Sequence, residues 1–339
     1  MRHTRIGLRL ALVVAAALAT SGEPGAQGTN AMSNPYRMLD GWPQMPPTIR
    51  WGAVIGIIPD GQGGTWIHHR SNPPIIKFDS AGRLLKSFGN DMFVQAHGFC
   101  MDRDGNLWAG DSGPFADNPA TAGRGFQLFK FNQDGKLLLT LGKAGVSKAG
   151  PDTFIGPTSC AIAPNGDVVV ADGHIPRGTS SQQDGDRIVR FTTDGKFVGS
   201  WGRQGSGPGE FIGPHALAFD SRGRLFVADR SNNRIQIFDR DMTFVDEWRH
   251  FGRPSGIAIL KDDTLIVADS ESGKRISGPD GNVVRNLGWK NGIRFGSAKD
   301  GSLLHFVDGT DPEGLAADEM GNVFAGLTSR PILQKWIKK

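Results

Sequence analysis

The chain has 339 residues, with 48 glycines, two cysteines, one tyrosine and a formal net charge of +4. That length supports a sizeable core, and the mild charge, scattered over turns without a dense basic tract, argues against nucleic-acid binding. Abundant glycine between short apolar runs points to an all-β protein full of turns, and two cysteines allow at most one internal disulfide.

In chain order, the first element is a targeting segment. Residues 1–26, "MRHTRIGLRLALVVAAALATSGEPGA", begin with cationic Arg2, Arg5 and Arg9, pass through an apolar run from Leu10 to Ala19, and end in small residues with a cut after Ala26. This is a secretory signal pattern. Its apolar run is too short to span a bilayer comfortably, although an uncleaved anchor stays open as the alternative. The expectation is an exported protein, periplasmic or extracellular, without stable membrane insertion after cleavage. Residues 27–52 follow as an N-terminal extension.

From residue 53 to 339 the chain repeats itself. "AHGFCMDRDGNLWAGD" starts at Ala96, "PTSCAIAPNGDVVVAD" at Pro157, "PHALAFDSRGRLFVAD" at Pro214, "PSGIAILKDDTLIVAD" at Pro254 and "PEGLAADEMGNVFAGL" at Pro312. "AVIGIIPDGQGGTWIHH", from Ala53, is a looser sixth member. Each reads as strand, tight polar turn, strand. Four units continue into a second hairpin, as in "DRIVRFTTDGKFVGSWG". The unit is a four-stranded antiparallel meander, and six of them predict a six-bladed β-propeller. The fifth unit takes its outer strands from "NGIRFGSAKDGSLLHFVDG", after an insert around "RISGPDGNVVRNLG". The last unit has "PILQKWIKK" as its third strand and no obvious fourth, so a segment before Ala53 is expected to supply it and latch the ring. A solenoid of stacked meanders is the alternative architecture.

In a propeller the first strand of each blade lines the central channel, so equivalent positions form rings. The slot just after the proline reads Val54, His97, Thr158, His215, Ser255 and Glu313. The metal-ligating types fall on alternate blades, which brings His97, His215 and Glu313 onto the axis from three sides. Two imidazoles and a carboxylate suit Zn2+ with an open position, and Fe2+ accepts the same donors. Ordinary polar lining of a wet pore is the competing reading.

A second slot, past the second strand, reads Arg70, Ser112, Gly173, Arg230, Ser270 and Thr328. Two arginines on opposite sides of the funnel suit a carboxylate. His174, next to Gly173, is the expected general base or acid, since imidazole titrates near neutrality. His68 and His69 are weaker candidates, one of them expected to reach the funnel. His250 and His305 read as structural or solvated. Asp111, Asp172, Asp229 and Asp269 read as architectural acceptors for backbone N–H groups in the following turns. Cys100 and Cys160 have opposite parity counted from the slot, which makes a direct bond awkward and favours two buried thiols, while an oxidising compartment keeps a disulfide open as the alternative.

The repeats resemble NHL repeats, best seen in "GPHALAFDSRGRLFVADRSNNRIQIFD". The chain more specifically resembles the peptidyl-α-hydroxyglycine α-amidating lyases. That resemblance implies a six-bladed propeller with a catalytic zinc on three histidines. It also implies arginines that bind the substrate carboxylate, a tyrosine base, and cleavage of an α-hydroxyglycine-ended peptide to a peptide amide and glyoxylate. His97 in "AHGF" and His215 in "PHAL" fall on two of the zinc histidines, and Arg70 in "HHR" and Arg230 in "ADRSNNRIQ" fall on arginines. The chain departs from the family at three places. Glu313 replaces the third histidine. Gly314 replaces the acidic residue that follows it, which weakens any structural Ca2+. His174 replaces the tyrosine and is followed by the insert "IPRGTSSQQDGD".

The leading expectation is therefore a metal-dependent lyase that breaks a C–N bond in a small or peptide-like α-hydroxy amide, with the substrate carboxylate held by Arg70 and Arg230. A metal-dependent hydrolase of a lactone, ester or amide in the same funnel, and a non-catalytic binding propeller of the cell envelope, are the alternatives. Ring closure removes exposed edges, so a monomer is expected.

Overall fold

The computed structural model describes residues 26–114, 118–173, 185–278 and 281–339. The segment 1–25 and His174 lie outside them. A short helix α1 (Ala26–Asn30) and strand β1 (Tyr36–Met38) come first. Blade one is β2 (Val54–Pro59), β3 (Thr65–His69), β4 (Ile75–Phe78) and β5 (Leu84–Phe88). Blade two is β6 (Ala96–Met101), β7 (Leu107–Asp111), β8 (Gln127–Phe131) and β9 (Leu137–Leu141). Blade three is β10 (Pro157–Ile162), β11 (Val168–Asp172), β12 (Arg187–Phe191) and β13 (Phe197–Trp201). Blade four is β14 (Pro214–Phe219), β15 (Leu225–Asp229), β16 (Arg234–Phe238) and β17 (Phe244–Trp248).

Blade five is interrupted. After β18 (Pro254–Ile259) and β19 (Thr264–Asp269) the chain forms a separate hairpin, β20 (Arg275–Gly278) and β21 (Gly281–Val284). It then completes the blade with β22 (Gly292–Ser297) and β23 (Leu303–Val307). Blade six is β24 (Pro312–Ala317), β25 (Val323–Leu327) and β26 (Ile332–Lys338), with β1 as its fourth, outermost strand. Tyr36 pairs with Lys338 and Met38 with Trp336. The inner strands pack in sequence around the axis, and β24 returns against β2 to close the ring. This is the six-bladed antiparallel propeller the repeats predict. No helix among the described residues is long and apolar enough to cross a membrane.

The second strand of each blade is covered on both faces by neighbouring blades. Its sequence is accordingly a continuous apolar run, as in Val168–Asp172 and Leu225–Asp229, where every residue is buried. Outer strands such as β5 and β13 mix partly covered and exposed positions. The two faces of one strand serve different interfaces. Val168 and Val170 pack toward Trp108 of blade two, while Val169 and Ala171 pack toward Leu225 and Val227 of blade four.

That alternation corrects the reading of the cysteines. Cys100 and Cys160 form a disulfide with Cα atoms 5.6 Å apart. Stacked blades present opposite faces to each other, so a residue pointing forward from one blade meets a residue of opposite parity pointing back from the next. Opposite parity is the condition for this bond, not an obstacle to it.

The buried aspartates are clasps, though they reach further back than expected. Asp172 Oδ1 accepts from Ile155 and Gly156 N–H, both at 2.8 Å, and Asp111 accepts from Val94 and Gln95, also at 2.8 Å. Each carboxylate thus ties the end of the second strand to the segment leading into the first. Arg187, Arg234 and Arg294 pair with Asp172, Asp229 and Asp269, which offsets the burial of these charges.

Candidate metal centre

In every blade the inner strand breaks register at or beside the channel slot. The shifts fall between Val54 and Gly56, His97 and Phe99, Pro157 and Ser159, Pro214 and Leu217, Pro254 and Gly256, and Pro312 and Gly314. A bulge re-aims the side chain it carries. Here it places the slot residues around the channel.

His97, His215 and Glu313 converge there. Their nearest donor atoms all lie within 4.8 Å of one another. Glu313 Oε1 is 3.3 Å from His215 Nε2 and 3.8 Å from His97 Nε2, and the two rings meet edge to face with centroids 4.8 Å apart. Both histidines are nearly inaccessible to solvent, at 1% and 3% exposure. A cavity of ≈ 80 Å³ opens beside them, with Thr158 and Ser255 also in its wall.

The hydrogen bonds fix which nitrogen faces the axis. His97 Nδ1 lies 2.5 Å from the Thr158 carbonyl, and His215 Nδ1 lies 2.6 Å from the Ser255 carbonyl. A carbonyl only accepts, so Nδ1 carries a proton, and Nε2 is the nitrogen that faces Glu313. Burial, aided by the nearby Arg230, lowers the His215 pKa, and Glu313 opposes that shift. Burial alone would raise Glu313, but His215, Arg230 and Arg70 outweigh it and hold the carboxyl well below its usual range. Two imidazoles presenting Nε2 and one carboxylate are a fitting donor set for a divalent ion.

Glycine permits this geometry at Gly98, whose φ is +20°; a Cβ there would press within 3.0–3.2 Å of the Ser159 backbone. The close approach of β6 and β10 is what lets His97 reach Thr158. At Gly314 a Cβ would lie 2.5 Å from the Ile55 carbonyl oxygen. The position where the resembling family has an acidic residue is thus filled by backbone of blade one.

The rim arginines stand where the second slot places them. Arg230 Nη1 is 3.9 Å from Glu313 Oε1, and Arg70 donates through Nε to the Ala96 carbonyl at 3.1 Å. Burial lowers Arg70, and Glu313 opposes that shift; a guanidinium stays charged in any case. The structure therefore brings together Arg70, Arg230, His97, His215 and Glu313. His174, the sequence-derived base, lies outside the described residues.

Neither His68 nor His69 serves the funnel. His68 is fully buried, bonds through Nδ1 to the His97 carbonyl at 2.9 Å and stacks near Phe93 and Phe99; burial drives its pKa down to about 3. His69 accepts from Gly52 N–H and donates to the Pro73 carbonyl. His250 and His305 bond to Gly301 and Ser33, away from the channel.

Three rim residues escaped the sequence reading. Arg253 donates from Nη1 to the Arg230 carbonyl at 3.0 Å and from Nε to Glu271 at 2.8 Å, so it holds the turn that carries Arg230. Burial would raise Glu271, but Arg230, Arg253 and Arg285 pull it down to about 2. At Gly173 a Cβ would fall 2.2 Å from Asp186 Oδ1, so the Asp186 carboxylate fills the blade-three slot and accepts from Gly213 N–H at 2.6 Å. A lone glycine among polar slot residues was the available signal for Asp186, and adjacency to Ser270 was the signal for Glu271.

Fold and site together define a six-bladed β-propeller with a two-histidine, one-carboxylate centre in its channel and two arginines at the rim. Residues 211–238, at the head of blade four, match the NHL repeat. Over 179 residues, half of this chain, it is 37% identical to peptidylglycine α-amidating monooxygenase of Rattus norvegicus, but the match spans only 16% of that longer protein. It is 29% identical over 244 residues to peptidyl-α-hydroxyglycine α-amidating lyase 1 of Drosophila melanogaster, covering 61% of this chain and 41% of the relative. Among solved structures, a gluconolactonase from Xanthomonas campestris superposes with a TM-score of 0.59 over 91% of each chain at 16% identity, a likeness of fold.

Proposed function

We propose that this protein is a metal-dependent lyase acting on a small or peptide-like α-hydroxy amide that carries a carboxylate. The observation that carries the reading is the convergence on Glu313 Oε1 of His215 Nε2, His97 Nε2 and Arg230 Nη1, at 3.3, 3.8 and 3.9 Å. Resemblance to relatives named as amidating lyases supports it.

His97, His215 and Glu313 would hold the ion, with zinc favoured by the donor set and Fe2+ as the second choice. When bound, such an ion supplies a Lewis acid toward the substrate's carbinol oxygen. Arg70 and Arg230 clamp the carboxylate, which fixes the α-carbon below the rim. The carbinol O–H proton leaves as the C–N bond breaks and ends on the amide nitrogen, giving an amide and an α-keto or aldehyde acid without consuming water. On the sequence evidence His174 moves that proton. The same sequence reading supports an exported, monomeric protein.

A second reading is a hydrolase of a lactone, ester or amide. It is favoured by Glu313 itself, because two histidines and a glutamate are a donor set of hydrolytic zinc enzymes.

Elemental mass spectrometry on mature protein, purified without added metal or chelator, is the first test. About one zinc or iron per chain is expected, with loss in Glu313→Ala. An α-hydroxyglycine-ended peptide should then yield amide and glyoxylate. His215→Ala should abolish this while the fold is kept. Retained turnover in folded His215→Ala rejects the assignment, solvent oxygen in a new carboxyl group selects hydrolysis, and a chain that binds no metal is a binding propeller.

A further inference from the structure

We propose that Thr158 is a positioning residue that couples the two imidazoles of the metal centre. The inference rests on the metal reading above and extends it to a residue that offers the ion no ligand.

Thr158 occupies the channel slot of blade three, between His97 on blade two and His215 on blade four. It is almost fully buried, at 2% exposure. Its two polar ends point in opposite directions around the ring. The carbonyl accepts the His97 Nδ1 proton at 2.5 Å. The hydroxyl lies 2.7 Å from the Pro214 carbonyl and 3.1 Å from the Ala171 carbonyl. A hydroxyl has one proton to give, and the shorter contact takes it. The Pro214 carbonyl belongs to the peptide unit from which His215 hangs. One side chain and its own peptide therefore set the tautomer of one ligand and the backbone of the other.

These bonds are part of a longer belt. His68 donates to the His97 carbonyl at 2.9 Å, His97 to Thr158, Thr158 to Pro214, and His215 to the Ser255 carbonyl at 2.6 Å. Each link crosses from one blade to the next, from blade one to blade five. The Cys100–Cys160 bond ties the same two strands that His97 and Thr158 bridge. Thr158 is the link that joins the two histidine-bearing blades, so its hydroxyl is where the belt is most directly testable.

Partners of this kind, one layer removed from the ion, hold ligand orientation, and their removal typically costs about 10–100-fold in metal affinity. Thr158→Val keeps the shape and the carbonyl and removes only the hydroxyl; Thr158→Ser keeps the hydroxyl. Zinc affinity of the full mature chain, measured by competition with a chromophoric chelator, is expected to fall at least about tenfold in Thr158→Val and to stay near wild type in Thr158→Ser. Circular dichroism and the melting midpoint of the metal-free forms check that both variants fold. Equal affinity in Thr158→Val and wild type overturns the inference alone. Equal loss in both variants also overturns it, because the hydroxyl is then not the cause. Wild type that binds no zinc overturns the metal reading and this one with it.

Discussion

The disulfide between blades two and three gives the most quantitative expectation. Cys100 and Cys160 are separated by 60 residues. Closing a loop of that length removes about 14 cal/mol/K from the unfolded chain, or about 4 kcal/mol at 25 °C, in the chain-entropy treatment. Unfolding entropy near 2.1 cal/mol/K per residue, over about 300 ordered residues, converts this to a melting shift on the order of 6 °C. The perturbation is the double variant Cys100→Ala/Cys160→Ala, with thiol-reduced wild type as a second route to the same state. Both are compared with oxidised protein by calorimetry in chelator, so that ligand linkage does not enter. Free-thiol titration on unfolded protein should find none in the oxidised form. Two free thiols in protein recovered from an oxidising compartment refute the pairing. A double variant that melts within about 1 °C of wild type refutes the entropic reasoning.

Three further outcomes are expected. Arg230→Ala removes a charge-assisted contact of about 1.5–3 kcal/mol, so KM for a carboxylate-bearing substrate should rise at least tenfold while metal content holds; unchanged KM would remove Arg230 from the anion clamp. Tyr36 is 3% exposed and stacks on Phe295 of blade five at 4.6 Å; Tyr36→Ala should lower stability by about 3 kcal/mol, read by denaturant unfolding. Gly314→Asp, which restores the acidic residue of the resembling family, should lower the melting point whether or not calcium is present, because its Cβ meets the Ile55 carbonyl; a calcium-dependent gain in melting point would show that the junction has room.

The propeller was legible because its information is local and repeated. Turn pairs such as Asp104-Gly105 and Asn165-Gly166 mark most hairpins, and the apolar runs between them mark strands covered on both sides. The channel slot was legible for the same reason: once the blades are aligned, Thr158 and His215 occupy one position. What failed was a relation between blades. The parity argument treated Cys100 and Cys160 as if both blades offered the same face, whereas stacking makes them offer opposite ones. His68 and His69 failed similarly, since backbone carbonyls and N–H groups of other segments claim their rings. Asp186, Arg253 and Glu271 reach the rim from strand ends and approach segments, where the repeat offers only indirect signals: a slot glycine for Asp186 and the neighbouring Ser270 for Glu271.

Blade six draws on both ends of the chain: Tyr36 pairs with Lys338, and the same sheet carries Glu313. This has a consequence for the order of assembly. A growing chain has His97 and His215 long before it has β24, and Glu313 joins them only when β24 packs between β18 and β2. Until β24 is in place, no partial product brings the three donors together. On the proposed metal reading, capture of an ion would be timed to ring closure, and a stoichiometric ion would report that β24 has closed against β2.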